Sequence, residues 1–590
     1  MSSPSTHPVK TSQPQDSCMP WLCNPVLRYG LLLGFVAMVY ALFFHQLGSY
    51  PFFDVDEPRY AEAAREMLES GNWVTPYFNY VVRFDKPIFF YWLIAGVYKI
   101  FGVSEYAARS VSALSATLIV FSMLGFGIIV KQARTGLLAA IMTASCLQVI
   151  GLSRMSITDM NLCLWMTLTS LSLLLVVLKG NRWWIAAGFF AGIGVLTKGP
   201  VALVLPGGIL LVYSALTQQL SQHFKTRFFP IALMMMLVIS LPWYILAYQA
   251  NGPDFLDALF LHNVTRFEST VSGHAQPIWF FAVVLILGFL PWTPFLLQAS
   301  VRYLWPFRKT SGINSVTAFY SGLWAVLVFL FFTVANTKLL TYILPMFPAV
   351  ALFLATQWPE DTPAKNAKHP KVSTPLHWSG LVLFILMSIL ALVFFTSPQL
   401  FMPKEARHLT HLTLNSTANS IAIGILTLGC LVSWLCQLKK QWTASAFVLM
   451  LTMSGLTVSA LAGVIPQVNQ ITQGPMLDFV GIIGSSPVAT YEIVRPSLTY
   501  YLRRRVPHVE KTDRATLLEI WQDAQKTNDS AIKSLGQFLQ PGLFLITKTR
   551  FIATLETIVP KGTVLVPIKQ APEGPKPIYA LLLLTPKKGR

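Results

Sequence analysis

Long apolar stretches, separated by short polar breaks, recur along most of the chain. A helix crossing a bilayer needs about 20 apolar residues. Thirteen stretches meet or approach that length: 28–48, 107–130, 135–152, 160–178, 183–197, 200–217, 229–248, 278–300, 314–334, 339–357, 377–397, 419–437 and 443–463. The stretch at 183–197 is short, and Pro200 blurs its end. The first stretch starts late, is long and lacks a small-residue cleavage site, so it is expected to remain as an anchor rather than be removed as a signal peptide. Two regions break the pattern. Residues 49–106 are expected to form a long first outer loop. From 464 onward, short β-rich stretches (Pro487–Tyr491, Leu543–Thr547, Thr563–Pro567, Ile578–Leu584) alternate with helical ones (Pro496–Arg503, Arg514–Asp523).

The pattern therefore predicts a polytopic α-helical membrane protein with about thirteen transmembrane helices and a small C-terminal α/β domain. Its expected parts are an N-terminal tail over 1–27, a transmembrane domain over 28–463 with a first outer loop at 49–106, and the α/β domain over 464–590. Composition agrees. Of the 590 residues, 54% are hydrophobic and 12% charged, whereas a soluble domain carries about 25% charge. So few charges cannot cover a soluble enzyme of this size, and disorder and collagen are excluded.

The net charge of +19 is first a statement about orientation. With the N-terminus inside, and with Arg28 and Arg109 at span edges counted with the adjoining loops, the cytoplasmic segments hold 16 basic and three acidic residues, and the short outer loops 12 basic and 13 acidic. This is the positive-inside asymmetry. It predicts a cytoplasmic N-terminus and a tail on the outer side of the membrane. No acid falls within a span, which argues against an ion-coupled carrier, since these bury ionisable groups at mid-depth.

The acids gather instead in the first outer loop, which reads Asp54-Val-Asp56-Glu57-Pro58-Arg59-Tyr60. Pro58 suits a first helical turn, preceding acids favour its dipole, and Gly71 is a natural stop. The helix to about Ser70 carries Tyr60, Ala64, Met67 and Leu68 on one face, as in an amphipathic helix lying on a membrane. Arg83-Phe-Asp85-Lys86-Pro87 repeats the device and opens a second juxtamembrane helix ending near Gly102. Lys86 at that helix start is a candidate phosphate contact. Asp56, Asp85, Lys86 and Asp159 are expected at one level just outside the bilayer. Each has an ordinary reading too: acids before helices are commonly caps, and interfacial lysines commonly snorkel. Later outer loops add His262, Arg266 and His274, then Lys338 and Tyr342.

These residues carry a resemblance. Asp56-Glu57-Pro58-Arg59-Tyr60-Ala61-Glu62, Gly71-Asn72-Trp73-Val74-Thr75-Pro76 and Phe84-Asp85-Lys86-Pro87 resemble the GT-C glycosyltransferases of the protein mannosyltransferase superfamily, with the lipid A aminoarabinose transferase branch nearest. Asp159, the His262…Arg266-Phe267 stretch and Lys338-Leu-Leu-Thr-Tyr342-Ile-Leu-Pro345 continue it. The resemblance implies catalytic carboxylates at Asp56 and Asp159. It implies donor-phosphate contacts from Lys86, Arg59, Tyr342, Lys338 and Arg266, and substrate contacts from Glu57 and Tyr60. It also implies a divalent metal on Asp85 and His262, where the branch uses a longer Glu in place of this Asp.

The resemblance implies a bacterial inner-membrane enzyme that transfers a sugar from a polyprenyl (undecaprenyl) phosphate, with inversion, to a periplasmic acceptor, foremost lipid A. Another envelope glycan or protein Ser/Thr is the alternative acceptor; a lipid-linked sugar transporter or an envelope assembly protein is the rival from another class. There is no Gly-rich phosphate loop or dinucleotide fingerprint, so no nucleotide cofactor is expected, and no nucleic-acid partner.

Overall fold

Among the described residues, six helices are long and apolar enough to cross a membrane: Glu105–Ile129, Thr158–Lys179, Phe228–Asn251, Ile313–Val334, Thr417–Leu438 and Trp442–Gln470. They come from a computed structural model that describes residues 25–261, 276–304, 312–361, 377–396, 417–511, 513–532, 542–571 and 578–586. Two further pairs pass the same test but are bent. The expected span 135–152 divides into Ala133–Ser145 and Leu147–Ser153, set at 64°, because Cys146 is extended (φ −77°, ψ 141°) and interrupts the hydrogen-bond ladder. The expected span 278–300 divides into Phe280–Gly288 and Thr293–Leu304, set at 114°. Pro291 has no N–H to give and disfavours helix at the residue before it.

Other expected spans are shorter than the apolar pattern. Pro345 and Pro348 delay the 339–357 helix, so that only Phe347–Gln357 is α-helical after a 3₁₀ turn at Leu344–Met346. Trp184–Lys198 and Val201–Leu216 are separated only by Gly199 and Pro200. The chain is thus a polytopic helical membrane protein in which, among the described residues, six to eight spans meet the length criterion.

Helices approach closely where side chains vanish. A Cβ on Gly127 would stand 2.6 Å from the Gly136 Cα, so both positions require glycine for Glu105–Ile129 to lie against Ala133–Ser145. Further along, Trp358 follows the Phe347–Gln357 helix and packs against Phe295 at 5.2 Å, Trp292 at 5.8 Å and Trp442 at 6.3 Å between ring centroids. Its indole N–H donates to the Trp442 carbonyl. Arg134 donates to the Pro359 carbonyl, and the Thr443 amide to Asp361 at 3.0 Å.

The two helices of the first loop run Asp56–Ser70 and Phe89–Phe101. Gly71 ends the first in the left-handed region (φ 67°). The expectation that its apolar face lies on lipid is corrected. Tyr60, Ala64 and Met67 are buried, and the Tyr60 ring meets Phe90 and Tyr91 at 5.6 and 5.8 Å. The face covers the second helix instead.

The tail forms a five-stranded mixed sheet. β1 (Tyr77–Phe78) and β2 (Val81–Val82) make a separate hairpin in the first loop. The tail strands are β3 (Val488–Tyr491), β4 (His508–Val509), β5 (Leu543–Lys548), β6 (Thr563–Ala571) and β7 (Tyr579–Pro586), in the order β4-β3-β5-β7-β6. β3 pairs in parallel with β4 and β5; β7 pairs antiparallel with β5 and β6. Helix Pro496–Leu502 packs onto Asp56–Ser70, joining tail and first loop.

Candidate active site

Asp159 lies in the first turn of Thr158–Lys179, and Lys198 is the last residue of Trp184–Lys198. Acids suit helix N-termini and cations suit C-termini, and the two antiparallel ends meet. Lys198 Nζ donates to Asp159 Oδ1 at 2.6 Å, with both side chains about 15% exposed. The Lys198 ammonium also sits 5.0 Å from the Tyr342 ring centre.

Asp85, Lys86, Asp159, Lys198, Thr337, Thr341 and Tyr342 line one cavity of about 140 Å³, with Phe84, Trp243, Phe255, Phe331 and Phe332 as its apolar wall. Six segments distant in sequence contribute. Lys86 Nζ donates to the Asp85 carbonyl at 2.8 Å, and the Asp85 carboxylate pairs with Arg83 at 2.8 Å. Phe331 also lines a second, almost wholly apolar groove of about 390 Å³ between Val201–Leu216 and Ile313–Val334. A chamber holding charged groups and an apolar trough thus share a wall at Phe331.

Asp56 does not line the chamber. Its side chain is 64% exposed and stands 3.8 Å from Arg59. Arg59 links it to the chamber: burial and the Arg83 charge lower the guanidinium pKa, while Asp56 and Asp85 oppose them. Tyr60 gives a second link. Burial, then Tyr91, pushes its phenol well up, Arg83 opposes, and both Asp56 and Asp159 act on it.

The structure separates the other expected site residues. Glu57 is corrected from a substrate contact to an internal tie. It is fully buried, and Oε1 accepts from Arg109 Nε at 2.9 Å and the Ser156 amide at 2.8 Å. Oε2 accepts from Arg109 Nη2 and the Phe53 amide, both at 2.9 Å. Tyr60 is likewise packed, with Arg83 5.5 Å from its ring centre. Lys338 is buried beside the chamber and donates to the Ala335 carbonyl at 2.7 Å.

His262 and Arg266 lie outside the described residues. Of the expected metal pair, only Asp85 is described, and its carboxylate meets Arg83. Among the described residues, no three His, Cys, Asp or Glu stand together as a metal site. The sequence reading missed Lys198. Its signal was a lone cation in Lys198-Gly199-Pro200, a break of a few residues between two apolar runs.

Beside the site, the Asp56–Ser70 helix carries a second charge cluster. Arg65 grips Glu62 at 2.7 and 2.8 Å and Glu69 at 2.8 Å. Glu66 accepts the Tyr80 amide at 3.0 Å. Burial pushes the Glu66 carboxyl up to about 7, against the Tyr80 amide and aided by the Glu62 charge. A raised folded-state pKa means that the folded chain holds this proton more tightly than the unfolded one. The resulting stability is complete below the ordinary value of 4.5 and is lost as pH rises through about 7. Glu66→Gln, a mimic of the protonated form, is expected to flatten the decline in thermal midpoint between about pH 5 and pH 8. An unchanged slope in the variant would assign the decline to other groups.

A sequence profile of the dolichyl-phosphate-mannose-protein mannosyltransferase family matches residues 30–259. Undecaprenyl phosphate-alpha-4-amino-4-deoxy-L-arabinose arabinosyl transferase of Aeromonas salmonicida is 31% identical over 421 residues, covering 70% of this chain and 73% of its own. The protein of the same name from Aeromonas hydrophila is 29% identical over 427 residues, covering 71% and 75%. The crystal structure of ArnT from Cupriavidus metallidurans bound to undecaprenyl phosphate matches 94% of this chain and 98% of its own, at a TM-score of 0.69 and 23% identity. At that identity, the match is one of fold.

Proposed function

Because the chain belongs to the family of undecaprenyl phosphate-alpha-4-amino-4-deoxy-L-arabinose arabinosyl transferases, we propose that its chamber holds the head of an undecaprenyl-phosphate aminosugar. The sugar then passes to lipid A at the periplasmic face of the inner membrane. The observation that carries this reading is the shared wall at Phe331. A prenyl phosphate needs cations for its head and an apolar trough for its tail side by side, and Lys86 and Lys198 line the chamber next to that trough.

The proposed topology has thirteen spans, a cytoplasmic N-terminus, and the 464–590 sheet domain outside, in keeping with the charge asymmetry. In the reaction, the bond from the anomeric carbon to the lipid phosphate breaks as a bond from the acceptor oxygen forms on the opposite face, inverting the centre. The lipid phosphate leaves, and Lys86, with Arg59 and Lys338 nearby, steadies the charge it gains. Asp159 holds Lys198 in place. Asp56 takes the proton of a hydroxyl acceptor; with an ionised phosphate acceptor it steadies the positive charge on the sugar. No step is assigned to a metal.

Mass spectrometry of lipid A, from a strain lacking its own transferase and supplied with this gene, tests the reading. An added aminopentose is the expected outcome, and unmodified lipid A beside a well-folded membrane protein contradicts it. The phosphate role of Lys86 is tested separately. Lys86→Ala removes a charge-assisted contact of about 1.5–3 kcal/mol, so the donor KM is expected to rise by about 10- to 100-fold. An unchanged KM would remove Lys86 from the phosphate site.

A further inference from the structure

Three carboxylates fall within four residues, and each has different surroundings. Glu57 is tied to the membrane helices through Arg109 and Ser156. Asp56 is open. Asp54 is tied to the tail, with a side chain only 1% exposed. Its Oδ1 accepts the Ser497 amide at 2.9 Å, and its Oδ2 accepts the Ser497 hydroxyl at 2.6 Å and Arg495 Nη1 at 3.4 Å. Burial pushes the Asp54 carboxyl up, while Ser497 and then Arg495 pull it back.

Neighbouring contacts reinforce this tie. The Phe52 amide donates to the Tyr501 hydroxyl at 3.0 Å, and that hydroxyl donates to Glu105 at 2.8 Å. The Phe52 ring meets Tyr500 edge-on at 4.9 Å. On the far side, Arg495 lies 4.9 Å from the ring centre of Tyr579 in β7, so the grip reaches the sheet. Residues 52–57 are thus held by the tail at one end and by the membrane helices at the other, and the open carboxylate lies between.

We infer that Asp54 and Ser497 are positioning residues for transfer, and that the tail takes part in catalysis by fixing the aim of Asp56. The inference rests on the reading of Asp56 as the reacting carboxylate. A base displaced by about 1 Å loses on the order of 10²-fold in rate, and releasing Asp54 frees the residue two places before it. A purely structural tail is the alternative. A second tail contact separates the two: Asn79 exchanges hydrogen bonds with Val506, accepting its amide at 2.7 Å and donating to its carbonyl at 2.9 Å, without touching 52–57.

The experiment measures kcat and donor KM for the full-length protein in detergent, with undecaprenyl-phosphate aminoarabinose as donor and lipid A as acceptor. Thermal midpoints are read in parallel. Asp54→Asn and Ser497→Ala are expected to lower kcat by about 10- to 100-fold with donor KM unchanged. Ser497→Thr, which keeps amide and hydroxyl, is expected to restore kcat. Asn79→Ala is expected to lower the midpoint but not kcat. Should Asp54→Asn not fold, the Ser497→Ala and Ser497→Thr comparison decides. Unchanged kcat in Ser497→Ala, where Asp56→Asn is inactive, overturns the inference alone; so does an equal kcat loss in Asn79→Ala. Full activity in Asp56→Asn overturns the reading beneath it.

Discussion

Asp56→Asn is expected to reduce sugar transfer by about 10²- to 10⁴-fold, the usual contribution of a positioned base, and to leave the protein folded. The second half follows from the surroundings. Asp56 is largely exposed, and its ion pair with Arg59, at 3.8 Å, is of the kind that contributes about 0–1 kcal/mol. Asn keeps the size and removes only the charge. The catalytic loss should fall on kcat, because on the proposed reading Lys86 and Lys198 hold the donor phosphate from other elements. Transfer assays with labelled donor, beside size-exclusion profiles in detergent, report both. Transfer at the normal rate would rule out a carboxylate role at this position.

Arg109→Ala is expected to do the reverse, removing the folded protein rather than its chemistry. Arg109 is fully buried. Besides both Glu57 oxygens, it serves the carbonyls of Leu47 at 3.1 Å, Tyr50 at 2.7 Å and Pro51 at 2.9 Å. Truncation strands a buried carboxylate, at a cost of about 3–5 kcal/mol. The thermal midpoint should fall steeply, and expression with it. A double substitution, Glu57→Met with Arg109→Leu, should recover part of the loss, since no charge is then stranded. Recovery stays partial because three carbonyls have lost their donor. A midpoint close to wild type in Arg109→Ala would show that the pair is dispensable.

The contrast between these neighbours shows what the sequence can disclose. Pro58, Gly71 and Pro87 announce the loop helices because their backbone preferences are local. Asp159, Lys86 and Tyr342 were assembled by reasoning about depth, and the structure brings them into one chamber. Telling Asp56 from Glu57 was out of reach, because their fates depend on Arg109, 52 residues beyond Glu57. The grip of Ser497 on Asp54 spans 443 residues and leaves no periodic trace. The broken spans were missed for a different reason. Hydropathy averages over a window, whereas Pro291 acts at a single bond.

The aromatic knot around Trp358 has a consequence for supply. The Phe347–Gln357 helix starts beside Pro345 at the chamber and ends at this knot, where Trp292, Phe295 and Trp442 are interlocked and all buried. Among the described residues, that end of the helix is closed by packed apolar rings. On the proposed reading, a carrier lipid reaches the chamber with its headgroup already turned to the chamber's leaflet, and the spent phosphate is left in that leaflet. Throughput in a cell is then bounded by whatever machinery tumbles such lipids across the bilayer, upstream and downstream of this protein.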